Sequence, residues 1–317
     1  MGPAPVIIYL GKDGMCVIQL DLKNAFHQMD RGKALEMLKL LYPEFWKPIA
    51  LMYCRGNKMV LPRDQTGQAP EVIEMVRGFR QGDPLSSAIM CAMIDHALTE
   101  EITRLNAAGG ALIGYADDQH VCGTADSLIE FWNNATEALA AFGLEISTLK
   151  SSVVSIGDSE EASKVHQELG LDWNREGINV LGHLHGTDDF IRQELEKDLE
   201  RLDKIALKLI SMSSKQGAFR LLWQSFMLQG QHRLKLNHSV RFEEYAEGFD
   251  DQAFKVLVSI AGRPIGDWSR RQAGLGFKAG GLALRPLGRA VLPARVATWS
   301  RVVGAMDGDR SAVTRKT

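Results

Sequence analysis

Ala111-Leu-Ile-Gly-Tyr-Ala-Asp-Asp-Gln-His-Val-Cys-Gly123 sets two short apolar runs on either side of the adjacent acids Asp117 and Asp118. Apolar flanks around a small, acidic centre predict a β-hairpin whose tip presents two carboxylates. Within a strand, neighbouring side chains point to opposite faces, but at a tight turn both can approach one ion. An Asp-Asp pair also suits an ordinary solvated turn, because acids favour turns. A third acid far upstream bears on the choice. Asp21 closes the apolar run Cys16-Val-Ile-Gln-Leu20, where a buried strand gives way to polar residues. Taken alone, Asp21 is either a turn former or a ligand.

The 317 residues are 45% hydrophobic, enough to bury a large core and to fold as two connected lobes. No apolar run approaches the roughly 20 residues of a membrane helix. Met1-Gly-Pro-Ala-Pro leads into a run too short and too poor in basic residues for a secretion signal. A soluble, intracellular protein with no membrane partner is expected. Cys16, Cys54, Cys91 and Cys122 lie far apart in apolar settings, without the spacing of a zinc site or a redox pair, so buried, reduced thiols are expected. A formal charge of −2 argues against a histone-like binder. Any grip on a polyanion must come from local patches and bound cations.

In chain order, Val6-Ile-Ile-Tyr-Leu10 and Cys16 to Phe26, with Gly11 and Gly14 between them, predict strands joined by a turn. Between Arg31 and Tyr53, Leu35, Leu38, Leu41, Ile49 and Met52 recur at helical intervals around Pro43 and Pro48, predicting two helices with a break. Lys58-Met-Val-Leu61, among turn formers, suggests a surface hairpin. Arg77-Gly-Phe-Arg-Gln-Gly-Asp-Pro-Leu-Ser-Ser87 opens an apolar helix over Ala88 to Leu98. Free N–H groups and the helix dipole there suit an anion, aided by Arg77 and Arg80, while Asp83-Pro84 also fits a plain helix start.

Ser127 to Phe142 reads as an amphipathic helix ending at Gly143, and Val153-Val-Ser-Ile156 as a strand. Gly157 to Gly177 reads as a polar insert before a strand over Ile178 to Gly182. His183 and His185 lack a third nearby ligand for a metal. From Thr187 onward Ile191, Leu195, Leu199, Leu202, Ile205 and Leu209 form one apolar stripe. Phe219 to Leu236 predicts a second helix with Arg220, Arg233 and Lys235 on its polar side, and Phe254 to Ile260 a third. Gly280-Gly281 lacks the Lys-Ser/Thr of a phosphate loop and reads as a turn. Asp307 to Thr317 is polar and expected to fray.

Asp21 with Phe26, Arg80-Gln-Gly-Asp-Pro-Leu-Ser86, Tyr115-Ala-Asp-Asp118, Gly143 to Lys150 and Leu181-Gly182 resemble, in order, motifs A to E of reverse transcriptases. The wording is most similar to LINE-type, non-LTR retrotransposon enzymes and their group II intron and bacterial relatives. The resemblance spans roughly residues 15–187 and extends more loosely to about residue 240.

It implies an α+β fold: a polymerase palm, an antiparallel sheet with helices on one face, followed by an all-α, thumb-like bundle. The implied domains are a palm with a remnant of fingers over 1–187, a helical thumb over 188–240 and a helical extension over 241–317. The implied activity is RNA-directed DNA synthesis, extending a DNA primer on an RNA template with deoxynucleoside triphosphates, as part of a retrotransposon polyprotein. Asp21, Asp117 and Asp118 would be the catalytic metal ligands for two Mg²⁺ ions, with Mn²⁺ as the alternative. Three carboxylates packed together repel one another, and bound cations remove that cost.

In the same resemblance Phe26 would lie under the sugar and exclude the ribose 2′-hydroxyl. Gln81 and Gly82 would line the nascent base pair, with Arg80 close by as a substrate-binding residue. Lys150 would protonate pyrophosphate, and Leu181-Gly182 would belong to the hairpin that holds the primer end. Family members carry a large fingers region before motif A, and nearly all of it is missing here. That leaves a truncated, catalytically impaired remnant, binding nucleic acid or a partner only, as the alternative expectation. Oligomeric state is not legible.

Overall fold

The computed structural model describes residues 6, 9–53, 57–61, 71–116, 118–236, 241–294, 296, 297 and 300. They divide into two compact units, Met1–Arg175 and Glu176–Thr317. Asp117 and Cys54 lie outside the described residues, as does the expected fraying at Asp307 to Thr317.

The first unit is built on a five-stranded sheet of β1 (Cys16–Leu20), β4 (Ala111–Tyr115), β5 (Asp118–Gly123), β6 (Ser152–Val154) and β7 (Asp172–Asn174). The spatial order is β4-β5-β1-β6-β7, antiparallel except for the β6–β7 pair. β2 (Asn57–Leu61) and β3 (Glu71–Met75) form a separate antiparallel pair, which carries the expected Lys58 strand. The helices are α1 (Ala25–Gln28), α2 (Arg31–Leu41), α3 (Pro43–Tyr53), α4 (Pro84–Ala97), α5 (Thr99–Ala107), α6 (Ala125–Ala140) and α7 (Glu160–Leu169).

Period-two alternation in β1 sends Cys16, Ile18 and Leu20 into one core. Ile89, Met90, Met93 and Ile94 of α4 and Leu128, Phe131 and Ala135 of α6 join them. Val17, Cys122 and Val154, on the alternate register, are fully buried as well, so both sides of the sheet centre are shielded from water. The mixed α/β architecture with an antiparallel-dominated sheet matches the expected fold class.

Three local expectations are corrected. Val6, Tyr9 and Leu10 are helical, so the local β propensity of Val6 yielded to tertiary context. The stretch read as a polar insert contains α7, capped by the Ser159 side chain and ended by Gly170 at φ 66°, and the strand β7. Ala162 and Val165 at i and i+3 bury that helix, and they are its signal in the sequence. Cys91 is exposed, whereas Cys16 and Cys122 are buried as expected.

The second unit opens with a hairpin of β8 (Gly177–Val180) and β9 (His183–Gly186). It continues with α8 (Asp188–Ile210), α9 (Lys215–Leu221), a π-helical turn over Leu222–Phe226, α10 (Met227–Leu236), α11 (Arg241–Ala261) and α12 (Asp267–Ala273). Leu195, Leu202 and Leu209 of α8 pack with Phe226, Phe242, Tyr245 and Phe249 in its core. Asp198 interrupts this apolar contact. Its carboxylate is 8% exposed and accepts from Tyr245 Oη (2.7 Å) and from Arg201 Nε (3.0 Å) and Nη2 (2.8 Å).

Arg233, expected on a polar face, is instead largely buried, with Nε 3.6 Å from Asp198 Oδ2. A buried acid draws in cations, because an unpaired charge there is costly. Among the described residues no helix is long and apolar enough to cross a membrane.

Candidate active site

Asp21 follows β1 directly. The β1–β5 register ends with Leu20 opposite Gln119, and Asp21 and Asp118 are the residues next to that last pair. Asp118 is exposed at the sheet edge. Of the three expected acids, Asp118 pairs with Tyr115 at the end of the β4–β5 ladder and Asp21 follows β1; the third, Asp117, lies outside the described residues.

The backbone around Asp21 is fixed from the other side. Asp21 N donates to the buried Ser151 Oγ (3.0 Å), and Ser147 N donates to Asp21 O (2.8 Å). A bridge between Leu22 and Ile146 extends this strand-like contact. Gly143, at φ 74°, lets the chain pass against Gln28 O, too close for any Cβ. Motif A is thus held by the segment that carries Lys150.

Lys150 is exposed, with Nζ 3.9 Å from Asp21 Oδ2. That distance is ion pairing, not hydrogen bonding. Asp21 Oδ2 itself is buried and has no hydrogen-bond partner among the described residues, although the side chain as a whole is 40% exposed. A buried, unsatisfied carboxylate oxygen is costly unless something compensates it. Hard oxygen donors from Asp21 and Asp118 fit a divalent cation such as Mg²⁺. Among the described residues no cluster of three His, Cys, Asp or Glu side chains gathers at one point.

Phe26 lies in α1, partly buried against the main core. Its carbonyl accepts from Phe79 N (2.6 Å), and Met29 O accepts from Gly78 N (3.0 Å). Gly78 sits at φ 72° with Phe26 O and His27 where a Cβ would be, so only glycine permits this approach. Arg31 clamps the same loop, donating from Nε and Nη2 to Gly78 O (3.0 and 2.7 Å) and from Nη2 to Met75 O (3.2 Å). Burial lowers its guanidinium from the ordinary value.

Behind the loop, the fully buried Phe79 packs edge-on against Tyr53 at 4.7 Å. The Tyr53 hydroxyl hydrogen-bonds Asp83 and lies 3.1 Å from Ser86 Oγ. Burial first, and the Asp83 contact second, raise the Tyr53 phenol. Asp83 caps α4 through Leu85 N (3.0 Å), which is the plain helix-start reading of this stretch. Arg80, Gln81 and Gly82 stand exposed at the head of that helix, and Gly82, at φ 89°, has open space on its Cβ side. The anchored Phe79 and Asp83 therefore bracket the three residues expected to face a base pair.

Leu181 and Gly182, at φ 52° and 91°, form the two-residue turn of the β8–β9 hairpin, with the positive φ values of a type I′ turn. Gly182 N donates to Asn179 Oδ1 (3.0 Å), and Gly182 O accepts from Arg233 Nη1 (3.2 Å).

The chain matches the family model described as reverse transcriptase (RNA-dependent DNA polymerase) over residues 9–185, more than half of its length. The chain belongs to the reverse transcriptase family. That match contains Asp21, Phe26, Arg80, Asp117, Asp118, Lys150 and the Leu181-Gly182 turn. No curated protein sequence matches it.

Among solved structures it is similar to telomerase from Candida albicans in complex with a TWJ fragment of telomeric RNA. That likeness has 12% identity and a TM-score of 0.42, covering 81% of this chain and 47% of that one. Apo telomerase from Candida tropicalis truncated from its C-terminal domain gives 12% identity and a TM-score of 0.44, covering 58% and 38%. This reverse transcriptase chain spans about half the length, or less, of those telomerase chains.

Several contributing residues were not singled out by sequence. Ser151 and Arg31 act through hydrogen bonds to distant backbone, which leaves no local pattern. Gln119 had a usable signal: a polar residue on β5 followed by the buried run His120-Val-Cys122. Its side chain is buried, and Nε2 donates to Ala116 O (2.7 Å) inside the acidic turn.

Proposed function

We propose that the chain is an RNA-directed DNA polymerase that extends a DNA primer on an RNA template with deoxynucleoside triphosphates. The reading is supported chiefly by the reverse transcriptase match over residues 9–185, within which Asp21 and Asp118 stand next to the last pair of the β1–β5 ladder. Asp21, Asp117 and Asp118 would hold two divalent cations, Mg²⁺ or alternatively Mn²⁺, whose chemistry is activation of the primer 3′-hydroxyl and neutralisation of the triphosphate.

The remaining work falls to the chain's own side chains. Phe26, fixed by the α1 backbone, would fill the space beneath the sugar and exclude a 2′-hydroxyl. Arg80, Gln81 and Gly82 would cover the nascent base pair from the head of α4. Lys150, poised beside Asp21, would give a proton to departing pyrophosphate as general acid. The Leu181-Gly182 turn would support the primer end. In this reading residues 1–187 are the palm with a remnant of fingers, 188–240 the thumb and 241–317 an extension, and the motif wording favours a LINE-type retrotransposon enzyme.

Primer extension on an RNA template with Mg²⁺ and deoxynucleotides, beside Asp21→Asn and Asp117→Asn proteins, tests the reading. Extension by the parent and loss of about 10³-fold or more in both variants is expected, since either change removes a charged metal ligand. Equal signals from all three proteins would refute it.

A further inference from the structure

Residues 263–294 carry Arg263, Arg270, Arg271, Lys278, Arg285 and Arg289 against the single acid Asp267, a net charge of +5 in a chain whose total is −2. Arg270 is committed: it pairs with Asp251 (2.7 Å) and lies over the Phe254 ring (4.6 Å). The other five are exposed and form no ion pair among the described residues. Uncompensated cations confined to one short segment mark a surface for a polyanion.

The same segment encloses a groove of about 510 Å³, with Leu257 and Leu282 as apolar lining and Arg263, Ser269, Gln272 and Gly280 as polar lining. Gln272 Nε2 donates to Gly280 O (3.3 Å), tying the glycine turn that carries Lys278 to α12, which carries Arg271. Gly281 has backbone packed where a Cβ would sit, so this wall is kept flush. Two exposed aromatic rings belong to the same segment: Trp268, 74% exposed between the groove residues Gly266 and Ser269, and Phe277, 54% exposed and edge-on to Trp223 (5.4 Å). Large exposed rings among cations are the elements that hold unpaired bases and their phosphates. The groove lies within the roughly 300–1,000 Å³ range of small-ligand sites, too little for a duplex and enough for one or two nucleotides.

We propose that this groove and its rim bind single-stranded RNA without sequence preference, with phosphates on Arg263, Arg271 and Lys278 and a base stacked on Trp268. The choice of RNA rests on the polymerase reading, in which the unpaired strand is the template and the DNA product leaves paired. Binding needs neither the acidic turn nor a divalent cation.

Fluorescence anisotropy of the full-length chain with an unstructured 20-nucleotide RNA, in chelator and without nucleotides, tests this. The triple variant Arg263→Gln, Arg271→Gln, Lys278→Gln should bind about 10–100-fold more weakly. Its log-affinity against log-salt slope should be shallower by about 2, as expected for three lost single-strand phosphate contacts. Trp268→Ala should weaken binding by about five-fold or more, with little change in that slope. Circular dichroism confirms that each variant is folded. Unchanged affinity in both variants, a duplex that loses as much as the single strand, or a DNA of the same sequence that binds more tightly than RNA would each overturn the proposal. Asp21→Asn should leave this binding intact, so failure of primer extension and failure of RNA capture are read separately.

Discussion

The Gln119 side chain occupies the space that Gly114 leaves empty across the β4–β5 ladder. The two are direct register partners, and a Cβ on Gly114 would collide with the Gln119 amide. From that position Gln119 Nε2 donates to Ala116 O (2.7 Å), and Ala116 itself sits at φ 55°. A buried amide thus holds the turn that leads into the acidic pair, in a backbone conformation alanine disfavours.

Gly114→Ala should push the amide out and leave Ala116 O without its donor, at a cost of about 1–3 kcal/mol. Gln119→Leu removes the same hydrogen bond without the clash. In a double-mutant cycle the two changes should therefore be strongly non-additive. Thermal unfolding measures the cycle, and additive losses would show that the two residues act independently.

Lys150 is exposed and stands 3.9 Å from an Asp21 oxygen that has no hydrogen-bond partner among the described residues. As a proton donor to pyrophosphate it should affect turnover more than binding. Lys150→Leu is expected to lower kcat by about 10²-fold, in line with general-acid contributions, with KM for the deoxynucleotide changed only slightly. Steady-state kinetics of deoxynucleotide addition decides; a variant with normal kcat would remove Lys150 from the chemistry.

The acidic hairpin, the break between α2 and α3, and the long stripe of α8 were legible because each rests on local periodicity or turn chemistry. The α7–β7 stretch was not, since Ser, Glu and Asp outnumber the few apolar residues that bury it. Likewise, Arg233 reads as a surface cation until Asp198, far away in sequence, draws it inward. Order of motifs singled out Asp21 and Asp118, which stand next to the last Leu20–Gln119 pair of the β1–β5 ladder. The residues that hold them in place, Ser151, Gln119 and Arg31, do so by hydrogen bonds to distant backbone that no spacing encodes.

His120 sits next to Gln119 on β5, nearly fully buried, and its Nε2 has no hydrogen-bond partner among the described residues. Burial pushes its imidazole below the ordinary value of 6.5, against a smaller upward pull from a backbone hydrogen bond with Ile113. The folded state therefore binds this proton less readily than the unfolded chain does. Its contribution should be fully present above about pH 6.5 and be lost as pH falls from there toward the depressed folded value. His120→Gln should flatten the dependence of stability on pH between about 7.5 and 5. Urea midpoints at several pH values measure this, and parallel curves for the two proteins would assign the acid sensitivity elsewhere.

Asp198 is the point where α8, α10 and α11 are joined by charge, not by apolar packing alone. It accepts from Tyr245 and Arg201 and pairs with Arg233, whose Nη1 reaches the carbonyl of Gly182 in the β8–β9 turn. Burial first, and the Asp198 contact second, raise the Tyr245 phenol well above its ordinary value, so it remains the hydrogen donor at any working pH. Asp198→Leu would leave Arg233 buried without its acid and should cost about 3–5 kcal/mol. Tyr245→Phe removes one hydrogen bond to a charged group and should cost about 1.5–3 kcal/mol. Arg233→Lys keeps the charge but loses the planar fork that serves Asp198 and Gly182 O together, so it should behave as a loss and not as a conservative change. Differential scanning calorimetry of the full chain ranks the three. Arg233→Lys indistinguishable from the parent would mean that charge alone holds the turn, and the fork geometry would be incidental.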